Sequence, residues 1–326
     1  MTPLRIAVIG CGRMGAQHAD TASRLGHRID LACDLDAARA SALADKYPGC
    51  RVLTDSGAIP WSTIDAGFVC TPPCARGPVE LAAALEGVPL FLEKPVGLTA
   101  DQCRPALRAF RARGTITSVG YMNRYRRSIQ RARHLLARET ALGFVGHWVG
   151  APYRVSWWAN PALSGGQLNE QCTHLIDLAR YLIAEIVEVS AWSQSMPDQT
   201  GANAAVSLQV RFETGALGIV LCSCLAEAKQ IGCRIFTRRG QLTLDGWDFS
   251  LGSTSGLIDP LPPSWANDVF VEEAAVFLAA VQSGDARGIH SDLGDALRTQ
   301  QVVDAATAAL TVARPKTVER RPAAMR

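Results

Sequence analysis

The sequence has no long apolar run of the kind that anchors a protein in a membrane. None of its stretches reaches the roughly 18 apolar residues that a membrane-spanning helix needs. The first residues, MTPLRIAVIGCG, also lack the basic region and the cleavage site of a secretory signal. These absences lead us to expect a cytoplasmic protein with no membrane partner.

The sequence also has little excess charge and no cysteine pattern typical of a metal site. The net charge of +3 is too small to indicate a polyanionic partner such as a nucleic acid. The one strongly basic stretch, RYRRSIQRARHLLAR at 124–138, fits a solvated helix face better than a nucleic-acid surface. The 10 cysteines are scattered without zinc-ligand spacing, so we expect reduced thiols and no metal.

In its first third, the sequence alternates short apolar strands with helical stretches. Strands without polar positions are typical of a parallel sheet that helices cover on both faces. We therefore predict a doubly wound parallel sheet over residues 1–121, with strands at 5–10, 29–34, 66–70, 89–94 and 116–120.

After residue 121 the pattern changes to a period of two, as in AAVSLQVRF, which predicts an antiparallel sheet. Strands are predicted at 186–193, 203–212, 216–224, 230–237 and 240–245, and the segment 143–158 also has strand-like composition. The overall prediction is an α/β fold whose second domain, 122–314, is built on a large open, mostly antiparallel sheet, with a loosely held tail over 315–326. Because an open sheet leaves a face that needs cover, we expect a homodimer or homotetramer through it.

A glycine-rich turn, AVIGCGRMG, follows the first predicted strand and opens a helix. Gly10, Gly12 and Gly15 have the G-x-G-x-x-G spacing that in this context binds a dinucleotide. The first glycine permits the tight turn, the second lets the backbone approach the pyrophosphate, and the third allows close helix–strand packing. The alternative is that these glycines only shape a turn.

The second predicted strand ends at Asp34, near the offset expected for a residue that binds ribose. A carboxylate there accepts hydrogen bonds from both ribose hydroxyls of NAD and repels the 2′-phosphate of NADP. Leu35 follows it, so no arginine stands beside it to bind a phosphate, although Arg39 is close in sequence. NAD is therefore expected, in preference to NADP.

The motif FLEKPVG places Glu93, Lys94 and Pro95 where a parallel strand leaves the sheet. Ligands of open α/β sheets bind at that edge. A lysine there can donate hydrogen bonds to substrate oxygens, and a depressed pKa would suit it for proton transfer. The alternative is an ordinary surface lysine at a strand end.

The stretch SGGQLNEQCTHLID carries Glu170, His174 and Asp177 at spacings of four and three. These spacings predict one face of a helix. An imidazole beside a carboxylate could exchange protons near neutral pH, or the histidine could be an ordinary core residue. We expect Asp177 to have a structural role, as a cap or as a partner of Arg180.

Together, the glycine loop, CTPP at 70–73, EKP at 93–95, GYMNRY at 120–125 and the SGGQLNEQCTHLIDLARYL segment resemble the family of glucose–fructose oxidoreductase, inositol dehydrogenase and MocA. The resemblance covers nearly the whole chain. It implies a Rossmann domain, a second α/β domain with an open sheet, and hydride transfer between NAD or NADP and a hydroxyl or carbonyl of a sugar, cyclitol or related polyol.

The resemblance also implies roles for individual residues. Lys94 matches the catalytic lysine, with a cis bond to Pro95, and His174 matches the histidine that exchanges a proton with the reacting hydroxyl. Glu170 stands where an aspartate is common, and we expect it to be catalytic or to bind substrate. The residues expected to contact the cofactor are Gly10, Gly12, Arg13, Met14, Gly15, Asp34, Thr71, Pro72, Glu93 and Lys94. A further departure is Arg76, where a histidine often follows the TPP-type turn.

Other substrate contacts are expected from aromatic and polar residues near the predicted cleft. They are Arg124 at the domain junction, and Tyr153, Arg154, Trp157, Trp158 and Asn160 before the glycine turn at 165–166. The tryptophans could equally be domain core. Two other functions stay open at this point: an enzyme that uses bound NAD in a closed redox cycle for a net non-redox reaction, and a non-catalytic regulatory protein that binds the cofactor.

Overall fold

The computed structural model describes residues 2–153, 155–195, 203–254 and 267–312. The predicted tail at 315–326 and Arg154 lie outside these described residues. No helix within the described ranges combines the length and the apolar character that a bilayer crossing requires.

The first sheet is parallel and has six strands in the order β3–β2–β1–β4–β5–β6. Its strands are β1 (Arg5–Ile9), β2 (Arg28–Cys33), β3 (Arg51–Leu53), β4 (Ala66–Val69), β5 (Leu90–Leu92) and β6 (Thr117–Val119). The predicted doubly wound sheet is confirmed, because the order reverses direction between β1 and β4. The edge strand β3 was not predicted, since its three residues are mostly exposed and carry no apolar pattern.

Helices cover both faces of this sheet, as the continuous apolar strands require. The helices that follow β1, β2, β4 and β5 in the chain are α1 (Arg13–Arg24), α2 (Ala37–Ala44), α3 (Pro78–Glu86) and α4 (Ala100–Arg113). Along β1, Ile6 and Val8 pack in one core cluster with α1, while Ala7 and Ile9 pack in another with α3 and α4. The period-two alternation of side chains therefore divides one apolar strand between two cores.

The second sheet has seven strands in the order β13–β12–β11–β7–β10–β9–β8. Among the strand pairs of the described residues in this sheet, only β7–β10 is parallel, so the predicted mostly antiparallel sheet is confirmed. Its strands are β7 (Ala141–Val149), β8 (Ile186–Ser195), β9 (Asn203–Phe212), β10 (Leu217–Ser223), β11 (Gln230–Thr237), β12 (Gly240–Asp245) and β13 (Ser250–Ser253). The predicted strand-like segment at 143–158 extends beyond the observed strand, because β7 ends at Val149, three residues before Pro152. The short edge strand β13 was not predicted.

Helices lie against one face of this second sheet. They include α5 (Arg127–Leu136) and α7 (Thr173–Leu182), with a π-helical turn at Leu168–Cys172 directly before α7. The short helix α6 (Pro161–Ser164) instead contacts the turn at Pro73–Ala75 that follows β4. Leu175 and Ile176 of α7 are fully buried in one cluster with Phe144 and Trp148 of β7. This packing fixes the helix that carries His174 against the sheet.

The C-terminal helices α8 (Val269–Ser283) and α9 (Leu293–Val312) return to the first sheet. Phe277 of α8 lies edge-on to Phe68 and Phe91 at centroid distances of 5.6 and 5.8 Å, and Leu293 of α9 belongs to the core beside α3 and α4. The C-terminal segment thus completes the core of the first sheet. The domain boundaries at residues 121 and 314 remain predictions.

A buried ion-pair network holds α7 at the junction. The Arg124 guanidinium donates to the two Asp177 oxygens at 2.8 and 2.6 Å and lies 2.7 Å from an Asp295 oxygen. The prediction that Asp177 pairs with Arg180 was wrong, because the Arg180 guanidinium donates to Glu185 and Asp295 instead. Asp177 nevertheless has a structural role, since it fixes α7 one turn after His174.

Candidate active site

The glycine loop between β1 and α1 leaves room for a ligand at one of its three glycines. Gly10 has φ +89°, and a Cβ there would lie 2.7 Å from the Cys70 backbone carbon. A Cβ on Gly15 would lie 2.0 Å from the Gly10 carbonyl oxygen, whereas one on Gly12 would meet nothing within 4 Å. Packing therefore requires Gly10 and Gly15, while Gly12 leaves open space beside the N-terminus of α1, where Arg13 and Met14 begin the helix.

Asp34, at the end of β2, is tied to the same loop. Its carboxylate accepts hydrogen bonds from the Cys11 amide at 2.7 Å and from the Asp36 amide at 2.9 Å. The nearby Arg39 pairs with Asp36 at 3.2 Å, and Leu35 is 89% exposed. A negative charge thus stands beside the loop, and the adjacent arginine already has a carboxylate partner.

Thr71 and Pro72 follow β4 on the other side of the glycine loop. The Thr71 hydroxyl oxygen is buried and has no hydrogen-bond partner in the described part of the chain. Arg76 holds this turn, because its buried guanidinium donates to the Thr71 and Val69 carbonyls at 3.0 and 2.9 Å. Thr71 lies against the glycine loop, since a Cβ on Gly10 would lie 2.8 Å from the Thr71 nitrogen. An unpartnered hydroxyl beside this loop is the arrangement that a dinucleotide's polar groups would complete.

Glu93, at the end of β5, supports the lysine that follows it. Its carboxylate lies 2.7 Å from Nε2 of His18 and accepts the Lys94 amide at 3.2 Å. Sequence analysis missed His18, although the histidine falls on the inward face of the α1 segment. The Lys94–Pro95 bond is cis, as the resemblance implied.

Lys94 contacts Glu170 across the cleft between the two sheets. Its Nζ donates to the Glu170 carbonyl at 3.1 Å and lies 3.5 Å from the carboxylate. Burial alone would lower the pKa of Lys94, but the charges of Glu170, Tyr153 and Glu93 outweigh it and raise the pKa above its ordinary value. The depressed pKa considered from the sequence is thus not found, and Lys94 stays a cationic donor.

His174 is the second ionisable residue of the site, and its pKa is lowered from the ordinary value of a histidine. Burial, assisted by the positive charges of Lys94, Arg126 and Lys229, lowers the pKa of the imidazole well below 6.5. The ring stacks on Trp148 at a centroid distance of 5.0 Å, and its Nδ1 is buried without a partner among the described residues. His174 is therefore a neutral base at physiological pH, and the stacking on Trp148 fixes the plane of its ring.

Glu170 lies on the π-helical turn rather than on a regular helix, so the predicted single α-helical face is only partly correct. Such turns occur frequently at functional sites. The Glu170 Oε1 atom is buried and has no partner in the described ranges, while Oε2 faces Lys94. One carboxylate oxygen is thus available to a ligand.

The remaining residues that were predicted to contact substrate differ in their surroundings. Tyr153 is close enough to Lys94 to affect its pKa. The Asn160 side-chain oxygen caps α6 by accepting the Ala162 amide at 3.0 Å, and its contact with substrate stays a prediction. Trp157 packs against a small cluster with Trp158, which favours the structural alternative.

Arg124 was predicted to bind substrate, and the structure corrects this. Its guanidinium is 3% exposed and fully committed to the ion-pair network of α7. It lines a separate cavity of about 630 Å³ whose lining includes neither Lys94 nor His174. The burial of Arg124 depends on partners more than 50 residues away in the chain. The sequence around Arg124 does not reveal these partners.

Two family models match the chain. One, described as an oxidoreductase family with an NAD-binding Rossmann fold, matches residues 4–121; the other, a GFO/IDH/MocA C-terminal domain, matches residues 139–243. A curated relative, the scyllo-inositol 2-dehydrogenase (NAD(+)) of Bacillus subtilis (strain 168), is 30% identical over 68% of this chain and 67% of its own length. The chain belongs to the Gfo/Idh/MocA family of oxidoreductases. The resemblance drawn from the sequence is confirmed.

Other relatives of this Gfo/Idh/MocA protein carry similar names. An inositol 2-dehydrogenase of Rhodococcus erythropolis is 31% identical over 56% of this chain and 53% of its own length. Another, of Rubrobacter xylanophilus, is 26% identical over 97% and 93%. The chain covers between 53% and 65% of three of the curated relatives it matches.

Solved structures share the fold of this Gfo/Idh/MocA protein. GenD2 from gentamicin A biosynthesis, in complex with NAD, superposes with a TM-score of 0.84 at 21% identity, over 96% of each chain. Levoglucosan dehydrogenase in complex with NADH and levoglucosan gives 0.81 at 20% identity, over 95% of this chain and 97% of that one. At these identities the likeness establishes the fold.

The glycine loop generates a test with an internal control. Gly12→Ala should leave the thermal unfolding midpoint of the nucleotide-free protein unchanged but weaken NADH binding by about tenfold, because the methyl group occupies the space that the pyrophosphate needs. Gly15→Ala should instead destabilise the fold by about 1–3 kcal/mol, because its Cβ meets backbone. Calorimetric titration and thermal unfolding separate the two effects, and an unfolded Gly12→Ala protein would contradict the assignment.

Proposed function

We propose that the protein is an NAD-dependent dehydrogenase or reductase acting on a hydroxyl or carbonyl group of a sugar, cyclitol or related polyhydroxylated small molecule. The observation that carries this proposal is the convergence of Lys94, His174 and Glu170 beside the glycine loop. Each of the three is nearly buried, and each has a donor or acceptor suited to a substrate oxygen. The names of the relatives, inositol dehydrogenases among them, support the substrate class.

The residues present fit NAD. Gly10, Gly12 and Gly15 with the N-terminus of α1 would hold the pyrophosphate, Asp34 the ribose, and Thr71 and Pro72 the nicotinamide half. Bound NAD would supply the acceptor for the hydride that leaves the substrate carbon. The proposal favours NAD over NADP because the Asp34 carboxylate would repel a 2′-phosphate and Arg39 is paired with Asp36.

The protein's own contribution is to move a proton and to stabilise charge on one substrate oxygen. Neutral His174 accepts the hydroxyl proton in oxidation and returns it in reduction. The Lys94 ammonium donates to the same oxygen and stabilises the negative charge that develops there. Glu170 accepts a hydrogen bond from a neighbouring hydroxyl through its unpartnered Oε1 atom and, through Oε2, keeps Lys94 charged.

The decisive experiment titrates the purified protein with NAD(H) and NADP(H), then follows NADH absorbance on a panel of polyols and sugars. Tight NAD binding with turnover supports the proposal. Binding with product formation but no net NADH would indicate the closed redox cycle instead, and failure of both nucleotides to bind would remove the basis of the proposal.

We also propose that the second sheet forms a homodimer or homotetramer interface. Its outer face carries exposed apolar side chains on three neighbouring strands: Val145, Leu217, Ile219, Leu221 and Phe236. A contiguous apolar face of this kind favours an interaction surface. The cytoplasmic location stays a prediction from the sequence.

Replacing Lys94 should separate binding from chemistry. Lys94→Ala should lower kcat by about 10²–10⁴-fold, because the charge on the reacting oxygen loses its stabilising donor. NADH affinity should change little, as measured by titration. Lys46→Ala, at an exposed lysine of the first domain, is the matched control and should keep full activity. Equal loss in both variants would refute the role of Lys94.

The pH dependence should report the lowered pKa of His174. Because the folded-state pKa lies well below 6.5, the ring stays neutral on acidification until the pH is below that value. Oxidation should therefore keep its kcat/KM from about pH 8 to about pH 6, while reduction, which needs the protonated ring, should accelerate as the pH falls. An acidic limb centred near pH 6.5 that persists in the exposed-site control His134→Asn would contradict this.

The outer face of the sheet can be tested by charge insertion. Ile219→Lys should shift the molar mass measured by light scattering toward that of a monomer, because it places a cation in the centre of the apolar face. Leu85→Lys, at an exposed leucine of α3, adds the same charge elsewhere and should leave the mass unchanged. A wild-type protein that is monomeric at micromolar concentration would overturn the proposal.

A further inference from the structure

Positive charge gathers around His174. The three charged groups that assist burial in lowering the pKa of His174 are all cations: Lys94, Arg126 and Lys229. Lys94 has Glu170 as its partner, and the proposed reaction uses it. Arg126 and Lys229 have no part in that reaction, and their position needs another explanation.

Arg126 is a buried guanidinium with unused hydrogen-bonding capacity. It is 4% exposed, and its Nε donates to Asn123 at 2.8 Å. Its Nη1 donates to Asp248 at 3.2 Å, but that carboxylate is 59% exposed. The Nη2 atom is buried without a partner among the described residues, as is Nδ2 of Asn123. Buried donors are normally satisfied, so an acceptor is missing beside these two side chains.

Lys229 shares an aromatic ring with Arg126. Its ammonium lies 4.6 Å from the centroid of Trp247, and the Arg126 guanidinium lies 5.6 Å from the same centroid. Trp247 meets Trp148 edge-on at 6.1 Å, and Trp148 stacks on His174. Two ring contacts therefore connect Arg126 and Lys229 with His174, the proposed proton acceptor.

The turn that carries Trp247 is held in a strained conformation. Phe249, two residues later, has φ +49°, which is unfavourable for a bulky side chain. The ring of Phe249 is fully buried and lies 5.8 Å from the Arg126 guanidinium. Strain of this kind persists where the surroundings enforce it and is common at ligand sites.

The charges beside Trp247 do not cancel. Asp248 pairs with Arg126, and no carboxylate lies within 4.0 Å of the Lys229 ammonium in the ranges the structure covers. Glu273 also acts on Arg126, but burial raises the pKa of this carboxyl group well above its ordinary value and so favours its uncharged form. Two cations thus stand against one exposed anion, near a ring suited to contact a sugar. An excess of positive charge with orphaned donors is the chemistry that binds a carboxylate or a phosphate.

We propose that the polyhydroxylated substrate carries an anionic group, which Arg126 and Lys229 bind while Lys94 and His174 act on a hydroxyl. The inference rests on the proposed function and specifies its substrate class: sugar acids or sugar phosphates rather than neutral polyols. Asn123 supplies an additional amide donor to the same end of the substrate. Trp247 forms the wall between the two cations.

The test compares compounds that differ only in the charged group, with NAD bound to the full-length protein. D-glucose, D-glucuronate and D-glucose 6-phosphate form one set, and D-galactose and D-galacturonate form another. Turnover is followed by NADH absorbance, and binding to the NADH complex is followed by tryptophan fluorescence. Comparison of the carboxylate compounds with the phosphate compound shows which of the two anionic groups the site prefers.

Substitutions test the contribution of Lys229 and of Arg126 separately. Lys229→Gln, at an exposed position, should raise KM for an anionic compound by about tenfold, which corresponds to about 1.4 kcal/mol, and leave KM for a neutral one unchanged. Arg126→Lys keeps the charge but loses the planar fork, so it should fall between wild type and Arg126→Met. Arg127→Met removes an exposed neighbouring charge and is the matched control.

The binding readout decides the inference independently of turnover. Preferred binding of an anionic member that weakens in Lys229→Gln supports it, even if no compound is oxidised and the proposed function fails. Equal or better binding of the neutral members, or an anion preference that Lys229→Gln and Arg126→Met both leave intact, would overturn it. Arg126 would then be a structural partner of Asp248 alone.

Discussion

The contact between the Lys94 ammonium and Glu170 is the constraint on which the rest of the site depends. Lys94 follows strand β5 of the first sheet by two residues, and Glu170 lies on a π-helical turn of the second domain. A buried ammonium is stable only if a carboxylate stays beside it. The ion pairs of Arg124 with Asp177 and Asp295 hold α7 against α9, and α9 packs on the first sheet. The fold therefore sets the position of Glu170 relative to Lys94.

The surroundings of Lys94 and His174, rather than their residue types alone, determine which of them is the cation and which is the neutral base. Both Lys94 and His174 are buried, and burial disfavours the charged form of each. Lys94 faces carboxylates, which outweigh burial and keep it cationic. His174 faces cations, which add to burial and keep it neutral. The charge of Lys94 acts on both outcomes, because the ammonium that stabilises a developing oxyanion also keeps the neighbouring imidazole ready to accept a proton.

Local sequence patterns were sufficient for the two sheets, the glycine loop and the position of Lys94 at a strand end. These features depend on periodicity and on turn chemistry, which are local. The short edge strands β3 and β13, the π-helical turn and the burial of Arg124 were not predictable in the same way. The burial of Arg124 depends on Asp177, which lies 53 residues later in the chain. Two further contacts of the site are as distant in sequence, because His18 meets Glu93 75 residues later and Arg126 meets Asp248 122 residues later. No periodic pattern records such pairings.

Unpartnered buried atoms offer a physical reason why the site is suited to a polar ligand. Thr71 Oγ1, Glu170 Oε1, His174 Nδ1 and Arg126 Nη2 all lack hydrogen-bond partners among the described residues. Leaving such an atom without any partner costs about 1–3 kcal/mol, so each of the four needs a partner from water or from a ligand. A cofactor and a substrate with polar groups in the right places can replace water at these atoms without that cost. The same atoms also reject a ligand with hydroxyl groups in the wrong places, because a mismatched ligand would displace water and leave the atoms unsatisfied.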